Sequence, residues 1–259
     1  MGEKMRIVRY GLVCFCIVMA SLCLADQKED WQPITQEDLQ IKEVPGSPGA
    51  AAIQLYYANY IDDSTQSEFE YRRIKILTEK GKKWADVEIP AGDGLSVRDL
   101  KARTIRPDGS IVDFTGKPFE KTIIKGRGIK ILVKTFTLPE VGVGSIVECK
   151  YKLVYESSFT SDNWTVQHSL FTVKEDLAFK PYEGGLRGEY FYEEGARLAW
   201  VGRHITKEQE PRVDKKNHAQ LELQNVPGFE SEEYMPPEKN YQSSIHFFYI
   251  NPEIKTTDG

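Results

Sequence analysis

Residues 71–155 constrain the fold most, because short runs there alternate between apolar and polar side chains and are separated by turns that carry glycine or proline. Successive side chains of a β-strand point to opposite faces, so a period of two indicates a strand with one buried face. Similar runs continue to about residue 250, with hardly any helical spacing. The pattern predicts an all-β fold, made of one or more antiparallel β-sandwiches.

Residues 100–114 contain the clearest hairpin signal, Arg106–Ser110, which reads RPDGS. Proline presets φ and the Asp-Gly pair supports a tight reversal between two strand-like runs. The sequence therefore predicts a β-hairpin at this point.

A second hairpin is predicted from 129–155, where Pro139–Ser145 turns one alternating run into another. In the later run Val147, Cys149 and Tyr151 share one face and would line the core. The sequence then predicts that the intervening side chains face water, namely Glu148, Lys150 and Lys152.

The first 25 residues have the pattern of an export signal. Lys4, Arg6 and Arg9 precede an apolar run that ends at Cys23-Leu24-Ala25, with small residues where a signal peptidase cleaves. The alternative is a retained membrane anchor, but the run is shorter than the roughly 20 apolar residues that span a bilayer. We expect cleavage after Ala25.

Charge and cysteine content narrow the classes of partner. The formal net charge is −5, and loss of the basic leader makes the chain more acidic. Such a chain has no basic surface for phosphate backbones, which argues against nucleic acid as a partner. Cleavage would also remove the other three cysteines and leave Cys149 as the single cysteine of the mature chain, so no internal disulfide is expected.

The domain organisation follows from these signals. After the signal peptide (1–25), a lead segment (26–50) should contain one short helix, because Thr35–Asp38 resembles a capping box. Residues 51–250 should form the β-sandwich module, either as one unit or as two sublobes that divide near 156–185. Residues 251–259 read as a polar tail.

Four blocks of sequence occur in an order typical of one bacterial family. They are YRRIKILTEKGKKWADVEIP, RTIRPDGSIVDF, FTLPEVGVGSIVECKYKL and LQNVPGFESEEYMPP. The chain resembles the domain of unknown function 3857, which usually precedes a transglutaminase-like domain in exported bacterial proteins. The resemblance implies a β-sandwich accessory module in the periplasm, the cell envelope or the medium, and it supplies no catalytic residues. The sequence ends where the transglutaminase-like domain would be expected to begin.

The sequence offers weak candidates for catalysis. A transglutaminase-type site needs a thiolate, a histidine and an orienting carboxylate in hydrogen-bond reach. Cys149 lies at a core-facing position, where burial makes a thiol unreactive. We therefore expect no enzyme activity and no catalytic residue.

The remaining polar candidates are better explained as parts of turns and loops. His204 and His218 could meet across a hairpin, but they lack the spacing of a metal site, so no metal and no cofactor are predicted. Asp62-Asp63 and Glu193-Glu194 could act as paired carboxylates, although solvated turn residues are the commoner case. Lys125–Lys130 lacks the spacing of a phosphate-binding loop.

Three tryptophans are candidates for docking a ligand or a neighbouring domain: Trp84, Trp164 and Trp200. Aromatic faces suit flat contact with sugar rings or peptides, and packing within the core is the alternative. Trp84 alternates in phase with Asp86 and Glu88, so it is expected to be the most exposed of the three.

Three functions follow from these observations. The first is a noncatalytic scaffold or interaction module that partners a transglutaminase-like or protease-like domain. The second is a module that binds carbohydrate or peptide of the cell envelope through exposed aromatic residues. The third is a hydrolase that uses Asp, Glu or His groups.

Overall fold

The computed structural model describes residues 29–92, 94–125, 129–156, 163–182, 197–230, 235–237 and 240–250. The chain divides into two compact units, Met1–Thr35 and Gln36–Gly259, and every strand described below lies in the second. The predicted signal peptide, the Glu193-Glu194 pair and the polar tail lie outside the described residues. In the part of the chain that is described, no helix is both long and apolar enough to cross a membrane.

Strands dominate the second unit, which also has one short α-helix, α1 (Gln36–Gln40), and 3₁₀ helices at Glu79–Ala85 and Lys207–Gln209. The strands are β1 (Ala52–Asp62), β2 (Ser67–Ile76), β3 (Asp86–Ala91), β4 (Leu95–Ile105), β5 (Ile111–Asp113), β6 (Phe119–Lys125), β7 (Ile129–Thr137), β8 (Ile146–Tyr155), β9 (Asn163–Thr165), β10 (Thr172–Lys180), β11 (Arg197–Arg203), β12 (Arg212–Val213), β13 (Ala219–Val226) and β14 (Ser244–Ile250).

These strands form one large sheet and two small ones. The large sheet has eight strands in the order β12-β13-β10-β1-β2-β8-β4-β5. Its neighbours are antiparallel except for β1 and β10, which are parallel. One small sheet has the order β3-β7-β6 and the other the order β11-β14-β9. The predicted all-β, sandwich-like fold is thus confirmed, with a parallel pair that the alternation did not indicate.

Each small sheet packs against one half of the same face of the large sheet, which we call the inner face. On one half, Ile74 and Val147 of the large sheet pack with Ile89 and Phe136 of β3 and β7. The other half is covered by the second small sheet, formed by β9, β11 and β14, and the two surfaces enclose a second apolar core. That core includes Ile61, Leu177, Phe179, Trp164, Ile245 and Phe247.

The predicted RPDGS hairpin is present between β4 and β5. The Arg106 amide donates to the Ser110 carbonyl oxygen at 2.8 Å, and the Asp108 side chain accepts from the Ser110 amide at 2.9 Å. Gly109 has a φ of +86°, a left-handed conformation that glycine adopts without steric cost.

The predicted second hairpin is wrong. β7 pairs with β3 and β6 in a small sheet, whereas β8 pairs with β2 and β4 in the large sheet. The segment 138–145 therefore carries the chain from one layer of the sandwich to the other. An alternating pattern identifies a strand but does not specify its partner, and here two consecutive strands belong to different sheets.

The prediction that Glu148 and Lys150 face water is also wrong, because only 0% and 6% of their surfaces are exposed. Glu148 lies on the outer face of the large sheet and accepts hydrogen bonds from Arg73 Nε at 2.6 Å and Arg103 Nε at 2.5 Å. The Tyr71 hydroxyl also donates to it. The carboxylate thus links the three adjacent strands β2, β8 and β4.

The same outer face binds helix α1. Arg73 Nη1 lies 3.1 Å from Asp38 Oδ2, and Lys75 Nζ donates to the Leu39 carbonyl oxygen at 2.9 Å. Lys75 is itself buried, so its charge needs such acceptors. The predicted short helix therefore exists, and ionic contacts hold it against the sheet.

We expect Glu148→Gln to lower the free energy of unfolding by about 3–5 kcal/mol, because Arg103 loses the counter-charge described above and the buried Arg73 keeps only Asp38. Glu140→Gln is the control, since Glu140 pairs with Arg106 at an exposed site and its loss should have little effect. Chemical denaturation of both variants measures the difference. Equal stability of the two variants would show that the buried cluster does not hold the central strands together.

Candidate functional site

A cavity of about 410 Å³ lies over the middle of the inner face, and we call it the polar cavity. It borders on residues of β1 and β2 and on the segment 163–169 that includes β9. Its wall is formed by Gln54, Tyr57, Asn59, Glu68, Glu70, Arg72, Trp84, Asn163, Trp164, Thr165, His168, Ser169, Leu177 and Gln242.

The floor of the cavity is a strip of polar side chains that strand pairing brings together. Asn59 of β1 pairs with Glu70 of β2, and the neighbouring positions of β2 on the same face are Glu68 and Arg72. We call these four residues the polar strip. On both sides of the strip the inner face is apolar, with Leu177 and Phe179 of β10 on one side and Cys149, Tyr151 and Leu153 of β8 on the other.

Arg72 is the cation of the strip. Its Nε lies 2.6 Å from Glu70 Oε1, and 46% of its side chain is exposed. The guanidinium carbon also lies 5.8 Å from the centre of the Tyr57 ring, within the range of a cation–π contact. The nearby Glu70 carboxylate raises the pKa of Arg72 further above its ordinary value, so this cation remains charged.

The carboxyl group of Glu68, also in the strip, has a pKa that is shifted from its ordinary value. Burial raises its pKa above the ordinary value, and hydrogen bonds oppose this shift only in part. Asn59 Nδ2 donates to Glu68 Oε1 at 2.6 Å, and the Tyr155 hydroxyl donates to Oε2 at 3.0 Å.

His168 forms another part of the wall and contacts the carboxylate of Glu175, which does not itself line the cavity. His168 Nε2 lies 3.1 Å from Glu175 Oε1, and the imidazole ring lies 4.3 Å from the Tyr57 ring, centre to centre. Glu175 is fully buried, and this burial raises its pKa although His168 opposes the shift. A carboxylate that orients an imidazole is an arrangement that some catalytic sites use.

Several buried polar atoms around the cavity lack a hydrogen-bond partner. They include the acceptor Asn59 Oδ1 and the donors Trp84 Nε1 and Trp164 Nε1. Such atoms cost roughly 1–3 kcal/mol each when they stay unsatisfied, so they commonly indicate a bound water or ligand.

A second, smaller space of about 190 Å³ shares Glu70, Arg72 and Trp84 with the polar cavity. Its remaining wall is more apolar and includes Leu138 and Cys149. Cys149 is 6% exposed, and burial raises the pKa of its thiol above the ordinary value. The predicted core position of Cys149 is confirmed, and its thiol has little thiolate character.

The structure brings two of the three candidate tryptophans together. Trp84 and Trp164 both line the polar cavity, whereas Trp200 of β11 packs against the apolar core. Trp164 is only 1% exposed, with its ring perpendicular to that of Phe247. Trp84 is half-buried and lies in the 3₁₀ helix, not in a strand as its alternation with Asp86 suggested.

The other sequence candidates lie at separate places. His204 Nε2 lies 2.9 Å from the Asn240 carbonyl oxygen, while His218 Nδ1 lies 3.3 Å from Asp214 Oδ2. Asp62 caps the turn after β1 by accepting from the Ser64 amide. The expectation that its neighbour is solvated is wrong, because Asp63 is 2% exposed and accepts from the Tyr249 hydroxyl.

Sequence reasoning missed the polar strip. In β2 the charged residues Glu68, Glu70 and Arg72 alternate with Phe69 and Tyr71, which suggests that the aromatic side is the core side. The structure has the opposite arrangement, because the charged side faces the two small sheets. Ile74 and Ile76 lie on the same face of β2 as the charged residues and are buried in the core. These two isoleucines were the sequence signal that could have identified the charged face as the inner one.

The fold and the cavity define an all-β, sandwich-like module with a polar cavity over its large sheet. Residues 62–183 match the model of a domain of unknown function for which a structure has been solved, DUF3857. This match confirms the family resemblance and includes the first three of the four sequence blocks, whereas the fourth, at 223–237, lies outside the matched residues. A comparison with curated proteins found no match.

Among solved structures, a "putative protease" from Parabacteroides distasonis has a similar fold, with a TM-score of 0.61 at 11% identity. The match covers 78% of this chain but only 41% of the length of that protein. Leukotriene A4 hydrolase from Saccharomyces cerevisiae matches with a TM-score of 0.33 at 9% identity, over 83% of this chain and 32% of the enzyme. The second likeness is too low to carry an argument.

We expect the Glu68 carboxyl to make stability depend on pH in a definite direction. The pKa of Glu68 is raised in the folded state, so between the ordinary and the raised pKa the folded protein binds more protons than the unfolded chain does. The free energy of unfolding therefore falls as the pH rises through the raised pKa. Glu68→Gln lacks this loss, so its melting temperature relative to the parent should improve as the pH rises from below the ordinary pKa of a glutamate to above the raised value.

The exposed Glu222 of β13 supplies the control variant, Glu222→Gln. Thermal unfolding of the three proteins across the pH range measures the effect. If the parent and Glu68→Gln differ by the same amount at every pH, Glu68 is not perturbed by burial.

Proposed function

We propose that this chain is an exported, noncatalytic β-sandwich module that acts as a scaffold or interaction domain for a protease-like or transglutaminase-like partner. The observation that carries the proposal is the state of Cys149, whose thiol is buried in the inner face between Val147 and Tyr151. A buried thiol with a raised pKa is a poor nucleophile. The family match and the fold shared with part of a longer protein support a modular role.

A hydrolase is the second candidate, and the geometry of the polar cavity favours it over other enzymes. The cavity wall includes His168, which contacts the buried Glu175, together with Glu68 and Glu70. Carboxylates and an oriented imidazole are the groups that hydrolases use as acids and bases. Ion pairs and burial also explain these groups as structural, which is the reading we adopt.

A hydrolase screen on the purified protein separates the two functions. We expect no turnover of casein, of short peptides or of nitrophenyl glycosides above that of the Glu70→Gln variant. Cys149→Ser should lower stability by about 1–3 kcal/mol, because a hydroxyl replaces a thiol in apolar surroundings, and should change no activity. Turnover that Glu70→Gln or His168→Ala abolishes while Cys149→Ser retains it would replace our proposal with the second candidate.

The export part of the proposal has its own test. The basic and apolar pattern before Ala25 leads us to expect a mature protein that begins at Asp26. N-terminal peptide mapping by mass spectrometry of the protein from cell fractions measures this. An intact Met1 leader on protein recovered from the cytoplasm would contradict export.

A further inference from the structure

We propose that the polar cavity binds a neutral, hydroxyl-rich ligand of one or two sugar rings. The first support is the mixture of unsatisfied groups at its wall. Asn59 Oδ1 and Glu70 Oε1 are acceptors, whereas Trp84 Nε1 and Trp164 Nε1 are donors. An ionised carboxylate only accepts and an ammonium group only donates, but a hydroxyl group does both.

The charges of the cavity also favour a neutral ligand. Glu70 pairs with Arg72 at 2.6 Å, and Glu175 lies 3.1 Å from the His168 imidazole. Glu68 accepts two hydrogen bonds from neighbouring side chains. Each of these carboxylates already has a partner, although Glu70 Oε1 and Glu175 Oε2 accept no hydrogen bond of good geometry, so an ionic ligand would have to compete with an existing contact.

Size and shape fit a small ring. The volume of about 410 Å³ lies in the range of small-molecule sites. Trp84 supplies aromatic surface beside the polar strip, which suits the apolar face of a sugar ring while its hydroxyl edge meets polar atoms.

The position of the cavity disfavours an extended peptide. Peptides in extended form are commonly held by the free edge of a sheet, where main-chain groups are available. The cavity lies over β1 and β2, and each of these strands is paired on both sides. Their main-chain groups are therefore used within the sheet.

Binding should involve movement of Trp84. The unsatisfied Asn59, Trp84 and Trp164 atoms are closed to solvent, so a ligand reaches them only when the wall adjusts. Trp84 is half-buried and packs at the edge of its apolar core, which makes it the side chain best placed to move. Movement of Trp84 on ligand binding should change the fluorescence of its indole ring.

Isothermal titration and tryptophan fluorescence with cellobiose, chitobiose, maltose and tri-alanine test the proposal. We expect saturable binding of at least one disaccharide and none of tri-alanine. Trp84→Phe removes a donor and keeps an aromatic ring, and it should weaken binding by about tenfold or more and remove the fluorescence change. Asn59→Ala, which removes the unsatisfied acceptor, should weaken binding by a similar factor.

Trp200→Phe is the matched control, because Trp200 lies outside the cavity wall. This variant should bind the disaccharide as tightly as the parent protein does. Thermal unfolding checks that each variant is folded. No binding of any disaccharide to the parent, equal binding by the parent and both cavity variants, or binding of tri-alanine alone would overturn the proposal.

The inference rests on the module being a binding domain, and the two ideas fail in different ways. Cleavage of a bound disaccharide would refute the noncatalytic function and leave the sugar site standing. Absence of binding would remove the sugar site and leave the scaffold function unaffected.

Discussion

The polar strip in the middle of the inner face is the constraint on which the architecture depends. Asn59, Glu68, Glu70 and Arg72 occupy a surface that apolar residues cover on both sides. Burying these groups under another apolar sheet would take their charges fully out of water, and this desolvation costs several kcal/mol even for paired charges. The arrangement that avoids this cost covers the two apolar halves with separate small sheets and leaves a polar cavity over the strip.

On the outer face of the large sheet, buried charges are neutralised by ion pairs between side chains of the protein itself. Glu148 is fully buried, and Arg73 and Arg103 neutralise it while Asp38 of α1 contacts Arg73 from the other side. The central strands thus carry charged residues on both faces. On the outer face they hold strands and a helix together, whereas on the inner face they line the polar cavity.

The sequence predicted strands better than it predicted their partners. Alternation identified β2, β7 and β8, and the RPDGS turn fixed one hairpin, because these signals are local. The pairing of β7 with β3 and β6 depends on contacts across the sandwich, which no local pattern specifies. For the site, Trp84 and Trp164 were predicted as candidates, but the carboxylates beside them were not.

The sequence by itself determined that this protein is built of strands, that Cys149 is part of the core and that the chain resembles this family. Period-two alternation and turn residues act between near neighbours, so they can be read without a structure. Only the tertiary structure decided which face of β2 is inside and that Glu68, Glu70 and Arg72 meet Trp84 and Trp164 at one cavity. Both faces of that strand carry enough apolar surface to be buried, so the choice depended on what the rest of the chain could pack against them.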